Sequence, residues 1–260
     1  MKNKILILFI LCAAFCGTAR SQYPFEQYKP VKKQTINNWI QLFRAGKANS
    51  EVCAYKIRVK HIFPSGNDCT VRVSPVGSDL TAFSSVLEIY QGSNLLQRFS
   101  PDPVYFGYFS MGITSVADFN GDSLKDIKIV CPYMSSGLGL SVRTIYLIQN
   151  PNGLFTKLSY DDMSNGDRIE RDMDNDGKYI TICMELENFK KHNYWTYNLY
   201  KFSGDSLIGV SDRFDYPVMI QFLNRTNYKP ASEIPDASRR SFVRSLPKEF
   251  CKDYGIVTKK

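Results

Sequence analysis

The segment ITSVADFNGDSLKDIKIVC, residues 113–131, joins two strand-like runs through one acidic loop. Residues 113–117 and 126–131 are the strand-like runs, and Asp, Asn and Gly between them are typical of a turn. The same succession of strand-like runs and turns extends along most of the chain. Further strands are predicted at residues 55–61, 70–76, 86–90, 95–99, 143–149, 154–159, 178–185, 194–201, 206–210 and 217–223. The pattern predicts a mainly β protein, either an antiparallel sandwich or an incomplete propeller-like sheet, with short N- and C-terminal helices.

The loop between these two strands has the oxygen spacing of a cation site. Oxygen-bearing side chains occupy its positions 1, 3, 5 and 9, namely Asp118, Asn120, Asp122 and Asp126. The carbonyl of Leu124, at position 7, can add another oxygen. Calcium takes about six to eight oxygen ligands and tolerates irregular geometry, so these residues are the predicted calcium ligands. The alternative is an ordinary turn rich in Asn and Asp. Position 12 is Ile129, which excludes an EF-hand.

A second acidic loop follows further along the chain. Asp172, Asp174 and Asp176 occupy its positions 1, 3 and 5, and Gly177 permits a sharp turn. Position 9 is Ile180, which offers no side-chain oxygen. This loop is therefore predicted as a possible second metal site that lacks one ligand, with a plain turn as the alternative.

The segment Val116-Ala117-Asp118-Phe119-Asn120-Gly121-Asp122, followed by Asp126-Ile127, resembles the FG-GAP/VCBS repeat of integrin-type β-propellers and many exported bacterial proteins. The resemblance covers about residues 105–200 and implies a calcium loop between two strands. It implies Asp118, Asn120, Asp122 and Asp126 as ligands. The second loop resembles the repeat less closely, because Ile180 replaces the last Asp.

A narrower resemblance concerns the segment after the first loop. An exported β-rich chain with one such loop is similar to periplasmic inhibitors of lysozyme-like effectors, which often present a Ser-Gly-x-x-Tyr loop. Here Ser136-Gly137 is followed by Leu140 where Tyr is expected. The resemblance implies a protein partner such as a lysozyme-like enzyme. For an inhibitor of this kind, the loop from Tyr133 to Arg143 is the predicted contact element, with Tyr133, Ser136, Gly137 and Arg143 as contacts. The alternative is a glycine-rich connection between strands.

Composition supports a folded, exported protein. The 260 residues carry 43% hydrophobic and 13% aromatic side chains, which excludes disordered and collagen-like classes. Lys2 and Lys4 precede an apolar run that is too short for a membrane span, and small residues follow it. Residues 1–21 are therefore predicted to be a cleaved signal peptide, and the mature chain is expected to be periplasmic or extracellular. No later segment is apolar enough to span a membrane.

The sequence pattern divides the rest of the chain into three segments. Residues 22–50 are predicted as a leader with a short amphipathic helix at 35–45, and residues 51–229 as the β-rich calcium-binding domain. That domain has two possible sub-regions, 51–104 and 105–229. Residues 230–260 form a C-terminal tail with a short basic helix at 236–245. Removing the signal peptide lowers the net charge from +8 to +5, because Lys2, Lys4 and Arg20 leave with it. The basic residues are scattered, so no nucleic-acid partner is expected.

Five cysteines remain after the signal peptide, and export permits disulfides. Cys53 and Cys69 flank one hairpin-like segment and are the first candidate pair. Buried free thiols are the alternative for Cys131 and Cys183. His61 shares an alternating face with Ile57 and is predicted to be a partly buried structural residue.

No nucleophile, nucleotide or zinc motif accompanies these features, so the chain is predicted not to be an enzyme. The function expected is that of an exported, calcium-stabilised binding protein. One alternative is an inhibitor or immunity protein against a lysozyme-like hydrolase. The other is a secreted hydrolase that uses paired carboxylates, for which Glu185 with Glu187 and Asp161 with Asp162 are the candidates.

Overall fold

The computed structural model describes residues 24–44, 52–77, 83–106, 112–136, 139–163, 168–222 and 230–257. The predicted signal peptide lies outside these residues. The described chain is mainly β and its strand pairs are antiparallel, which confirms the predicted fold class. None of the helices in the described ranges is long and apolar enough to cross a membrane.

Three four-stranded meanders follow one another along the chain. The first contains β4 (Val52–Val59), β5 (Cys69–Pro75), β6 (Ser85–Gln91) and β7 (Asn94–Arg98). The second contains β8 (Ile113–Ala117), β9 (Asp126–Ser136), β10 (Gly139–Gln149) and β11 (Phe155–Met163). The third contains β12 (Arg171–Asp172), β13 (Ile180–Phe189), β14 (His192–Ser203) and β15 (Ser206–Gly209), and β16 (Val218–Gln221) also pairs with β14. Serial meanders of this kind are the units from which propeller-like proteins are built.

The two ends of the chain complete the sheets. The N-terminal segment adds one strand beside the first strand of each meander: β1 (Lys29–Pro30) on β12, β2 (Gln34–Ile36) on β8 and β3 (Ile40–Phe43) on β4. The C-terminal segment adds β17 (Cys251–Asp253) to β11 and β18 (Ile256–Val257) to β7. We call the resulting six-stranded sheets the first, middle and third sheets, after their meanders. Covering the meander edges removes unpaired backbone groups from them.

The predicted helix at 35–45 is wrong, because β2 and β3 occupy most of that segment. Its apolar residues do not form one buried face. Ile36 packs on the core, and the indole of Trp39 donates a hydrogen bond of 3.0 Å to Thr114 Oγ1, whereas Ile40 and Phe43 are exposed. Pairing with open sheet edges has overridden the helical spacing. At the other end, the predicted helix at 236–245 is confirmed only as α1 (Asp236–Arg240).

The three sheets are layered with the middle sheet between the other two. One face of the middle sheet, which includes Ile129 and Ile145, packs on Ile57 and Val71 of the first sheet. Its opposite face carries Tyr146 and Tyr160, which pack with Tyr200 and Phe202 of the third sheet. Burial on both faces explains why residues 142–149 of β10 are almost continuously buried instead of alternating. The hydrophobic core between the first and middle sheets contains residues from both 51–104 and 105–229, so the two predicted sub-regions share one interior.

Two smaller expectations are corrected. The five cysteines after residue 21 are all free, so the proposed Cys53–Cys69 disulfide is wrong. Cys69 lies opposite Val59 at one end of β4, while Cys53 lies at the other end. Cys131 and Cys183 are buried thiols, as the alternative stated. His61 is not partly buried, because its side chain is 73% exposed and its Nδ1 lies 2.9 Å from the Gly66 carbonyl oxygen.

Candidate metal centre

The first acidic loop is held in shape by Asp118, which follows β8. One of its carboxylate oxygens accepts hydrogen bonds from the backbone N–H groups of Gly121 and Asp122, at 2.7 and 3.1 Å. The other accepts from the Ser123 N–H at 2.8 Å. A single carboxylate therefore gathers three successive N–H groups, which curls the loop around its first residue.

Asp126, the last predicted ligand of this loop, is completely buried at the start of β9. Its two oxygens accept hydrogen bonds from the backbone N–H groups of Phe119, at 2.9 Å, and Gln149, at 2.8 Å. Burial raises the pKa of Asp126 to about 8; the two N–H donors oppose that rise, and the negative charges of Asp122 and Asp118 add to it. A cation close to this carboxylate would favour its ionised form.

Asn120 and Asp122 lie between these two anchors. The amide of Asn120 donates to Asp122 Oδ2 at 3.0 Å and to the Gly204 carbonyl at 3.2 Å, so it connects the loop to the β14–β15 turn. Asp122 Oδ1 accepts the Leu124 N–H at 2.8 Å. All four predicted oxygen side chains thus belong to one hydrogen-bonded loop.

The second acidic loop brings its three carboxylates closer together. Carboxylate oxygens of Asp172, Asp174 and Asp176 all lie within 4.8 Å of one another, so this triad could hold a metal ion. Asp172 accepts the backbone N–H groups of Asp176 and Gly177, each at 3.2 Å. The first residue of this loop therefore has the same role that Asp118 has in the first loop.

An ammonium group neutralises part of this triad. Lys201 Nζ lies 2.5 Å from Asp174 Oδ2 and 2.7 Å from Asp176 Oδ2. Lys201 lies directly opposite Ile180 in the pairing of β13 with β14. Its ammonium group therefore comes from the position where the loop lacks its last side-chain ligand. Burial opposes the charged ammonium, but hydrogen bonds with the two carboxylates outweigh it and raise the pKa of Lys201. A metal ion at this loop has to share or displace that ammonium.

The two loops lie against each other, which sequence spacing alone did not reveal. A Cβ atom added to Gly121 would lie 2.6 Å from the Gly177 carbonyl oxygen, so only glycine fits at this contact. Gly121 and Gly177 also have φ values of +77° and +80°, which favour glycine. The layering of the middle sheet on the third sheet brings together loops that are 54 positions apart between Asp118 and Asp172. Their carboxylates therefore share one local electrostatic environment.

The predicted partner contact is partly contradicted. Arg143 is only 2% exposed and is held inside the protein, with Nε 2.6 Å from Asp102 Oδ1 and one terminal nitrogen 2.9 Å from Asp161 Oδ1. It cannot serve as a surface contact because its guanidinium is already paired in the interior. Tyr133 and Ser136 belong to β9, and Gly137 lies outside the described residues.

The carboxylates named for a hydrolase do meet in one cleft. A cavity of about 490 Å³ lies between the end of β11 and β13, and residues 244–248 border it. Its acidic lining residues are Asp161, Asp162, Glu185 and Glu187. Asp161 is paired with Arg143, Asp162 with Arg168 at 2.8 Å, and Glu187 with Arg244 at 2.7 Å.

Glu185 differs from the other three acids in this cleft. Its Oε1 is buried and has no hydrogen-bond partner among the described residues. Burial raises the pKa of Glu185, and the charge of Arg244 opposes the rise. The alternating pattern of β13 placed Glu185 and Glu187 on one face, but only the fold shows which basic residues surround them.

Comparison with known proteins adds no identity to this geometry. No family model matches the chain, and neither a curated protein nor a solved structure matches it.

Proposed function

We propose that the chain is an exported, calcium-stabilised protein that acts by binding and performs no chemistry. The contact between the two acidic loops carries the proposal, because it places many oxygen donors at one junction of the middle and third sheets. Asp118, Asn120, Asp122, Asp126 and the Leu124 carbonyl would hold a calcium ion in the first loop, and Asp172, Asp174 and Asp176 would hold one in the second. Bound calcium supplies positive charge and a rigid cross-link between loop segments.

The chemistry of the donors fits a hard cation. All these ligands are oxygens, and no thiol or imidazole is among them, which favours calcium over zinc or copper. The buried Asp126 supports the fit, because its carboxylate is costly to ionise without a nearby positive charge. The second loop brings carboxylate oxygens of its three Asp residues within 4.8 Å of one another, and a metal ion there has to compete with the Lys201 ammonium.

An inhibitor role is a narrower form of the same proposal. It would use the β9–β10 hairpin, with Tyr133, Ser136 and Gly137, against a lysozyme-like enzyme. Arg143 takes no part in it, because that side chain is buried.

The test is thermal unfolding of the chain with calcium and with chelator. At a calcium concentration about 100 times the dissociation constant, we expect about 2.7 kcal/mol of stabilisation, which corresponds to roughly 5–10 °C in melting temperature. Asp122→Ala should lose most of this difference, while the control Asp212→Ala, outside both loops, should keep it. Lys201→Met should strengthen the calcium effect if the second loop also binds. An identical midpoint in calcium and chelator would reject the proposal.

A second candidate, a glycoside hydrolase, is favoured by the cleft at Glu185 and Glu187. Alternate residues of a strand have Cα atoms about 6.6 Å apart and side chains on one face, so the carboxylates of Glu185 and Glu187 can reach the separation used by inverting glycosidases, about 6.5–9.5 Å. The burial that raises the pKa of Glu185 suits it to donate a proton to the leaving oxygen, and Glu187 would then activate water.

This candidate is tested with chromogenic glycosides and peptidoglycan as substrates. If the chain is a hydrolase, Glu185→Gln should lower kcat by about 100-fold or more, while the control Glu233→Gln should leave it unchanged. Absence of turnover by the parent on every substrate would reject this candidate and leave the binding proposal untouched.

A further inference from the structure

A basic groove lies on the side of the first sheet and middle sheet that the N-terminal segment covers. It has a volume of about 690 Å³ and is bordered by residues 32–38, the end of β4 at 58–60 and the end of β8 at 116–118. Five cationic residues line it, namely Lys32, Lys33, Arg58, Lys60 and Lys125. Asp118 is the one acidic residue of the lining.

Most of this positive charge remains available to a ligand. Lys32, in the N-terminal segment, and Lys60, at the end of β4, are exposed side chains that line the groove. Lys125 Nζ donates to the His61 carbonyl at 2.9 Å, a neutral partner that leaves the ammonium charge in place. Arg58 is paired with Asp68 at 2.6 Å, yet its side chain is still 68% exposed. A concave surface with this excess of one charge sign concentrates anions.

The uncharged lining indicates which kind of anion fits. Gln34, Thr35, Asn37 and Asn38 contribute amide and hydroxyl groups, which donate and accept hydrogen bonds. No Phe, Tyr or Trp is among the described lining residues. Protein-binding hot spots are enriched in aromatic anchors, and single-stranded nucleic acids stack on aromatic platforms, so both are poor matches here. An anionic chain that also carries hydroxyl groups is complementary to this lining. Its anionic groups can pair with the ammonium groups, and its hydroxyls can form hydrogen bonds with the amides.

We propose that this groove binds an anionic polysaccharide through its carboxylate, sulfate or phosphate groups and its hydroxyls. The ammonium groups of Lys32 and Lys60 contact the anionic groups. The amides of the 34–38 segment bind the sugar hydroxyls. The proposal rests on the groove alone and does not require calcium at the acidic loops.

The experiment measures binding of three polymers to the full chain in chelator. Polygalacturonate carries one carboxylate per sugar, polyglutamate matches its charge without hydroxyls, and dextran supplies hydroxyls without charge. We expect polygalacturonate to bind at least about tenfold more tightly than either of the others. Raising the salt from about 50 to 300 mM should weaken that binding by about tenfold or more, because the contacts are exposed ion pairs.

Charge reversal locates the site. The double variant Lys32→Glu, Lys60→Glu should lose at least about tenfold in affinity for polygalacturonate. The control Lys190→Glu, Lys191→Glu makes the same change in net charge at an exposed turn outside the groove, and should stay within about twofold of the parent. A melting midpoint close to that of the parent verifies that the double variant is folded. Lys60→Gln is the milder variant to measure if the double variant does not fold.

Three results would overturn the proposal. Equal affinity of the groove variant and the parent would place the site elsewhere. Equal binding of polyglutamate would show that charge alone is recognised and that an acidic protein is the better partner. No binding of polygalacturonate at low salt would remove the polysaccharide assignment, whatever calcium does to stability.

Discussion

Replacing Asp102 with alanine lowers the free energy of unfolding by about 3–5 kcal/mol, because the change removes a buried counter-ion that two buried cations share. Asp102 lies 2.6 Å from Arg143 Nε and 2.9 Å from Lys157 Nζ, and it accepts a 2.7 Å hydrogen bond from Ser159 Oγ. Arg143 and Lys157 are at most 2% exposed. Burial opposes ionisation of Asp102, but the two cations outweigh it and lower its pKa.

Urea unfolding measures this loss. The control Asp68→Ala removes a carboxylate whose partner, Arg58, is largely exposed, and it should change stability much less. The same network reaches the C-terminal segment, because Arg143 also donates to the Glu249 carbonyl at 3.0 Å and Lys157 lies 3.7 Å from Asp253. A loss in Asp102→Ala no larger than that in the control would show that the network does not hold these elements together.

In chelator, the free energy of unfolding falls as the pH rises from about 4 to about 8, with a contribution from Asp126 of up to about 1.4 kcal/mol per pH unit. The sign follows from the pKa of Asp126, which folding raises from 3.8 to about 8. Below 3.8 the carboxyl is protonated in both states, and between the two values only the unfolded state releases the proton. Stability due to this group is therefore lost as the pH rises through its folded pKa. Calcium should flatten the slope, because it favours the ionised folded form.

Asp126→Asn isolates this group, because asparagine has nearly the same shape and does not titrate. The variant loses one of two accepted backbone hydrogen bonds, so its absolute stability falls and the pH slope is the informative quantity. We expect the slope in chelator to be reduced in Asp126→Asn and retained in Asp212→Asn. If the pH dependence of the free energy of unfolding of the parent were equal in calcium and in chelator, Asp126 would not be a metal ligand.

Much of the fold was predictable from alternation and turn residues. The strand predicted at 113–117 coincides with β8, and those at 126–131, 143–149 and 194–201 lie within β9, β10 and β14. These segments are rich in β-branched and aromatic residues, and local preference agrees with the final structure. The helix prediction for residues 35–45 failed because Ile36 and Trp39 pack separately on other strands. That packing depends on open strand edges that are far away in the sequence.

The site was predictable only in part. The oxygen spacing from Asp118 to Asp126 identified one curled loop, since those contacts are local. The contact of Gly121 with Gly177 and the approach of Lys201 to the second loop depend on how two sheets are layered. Arg143 was predicted as a partner contact, but its side chain is buried because the middle sheet is covered on both faces.

The most direct measurement for the central claim is a calorimetric calcium titration of chelator-treated, dialysed protein. We expect saturable binding of at least one calcium ion per chain. We also expect Asp122→Ala to weaken that binding by about tenfold or more, while Asp212→Ala leaves it unchanged. Absence of saturable calcium binding to the folded parent chain, or equal binding by Asp122→Ala, would show that the first acidic loop is not a calcium site.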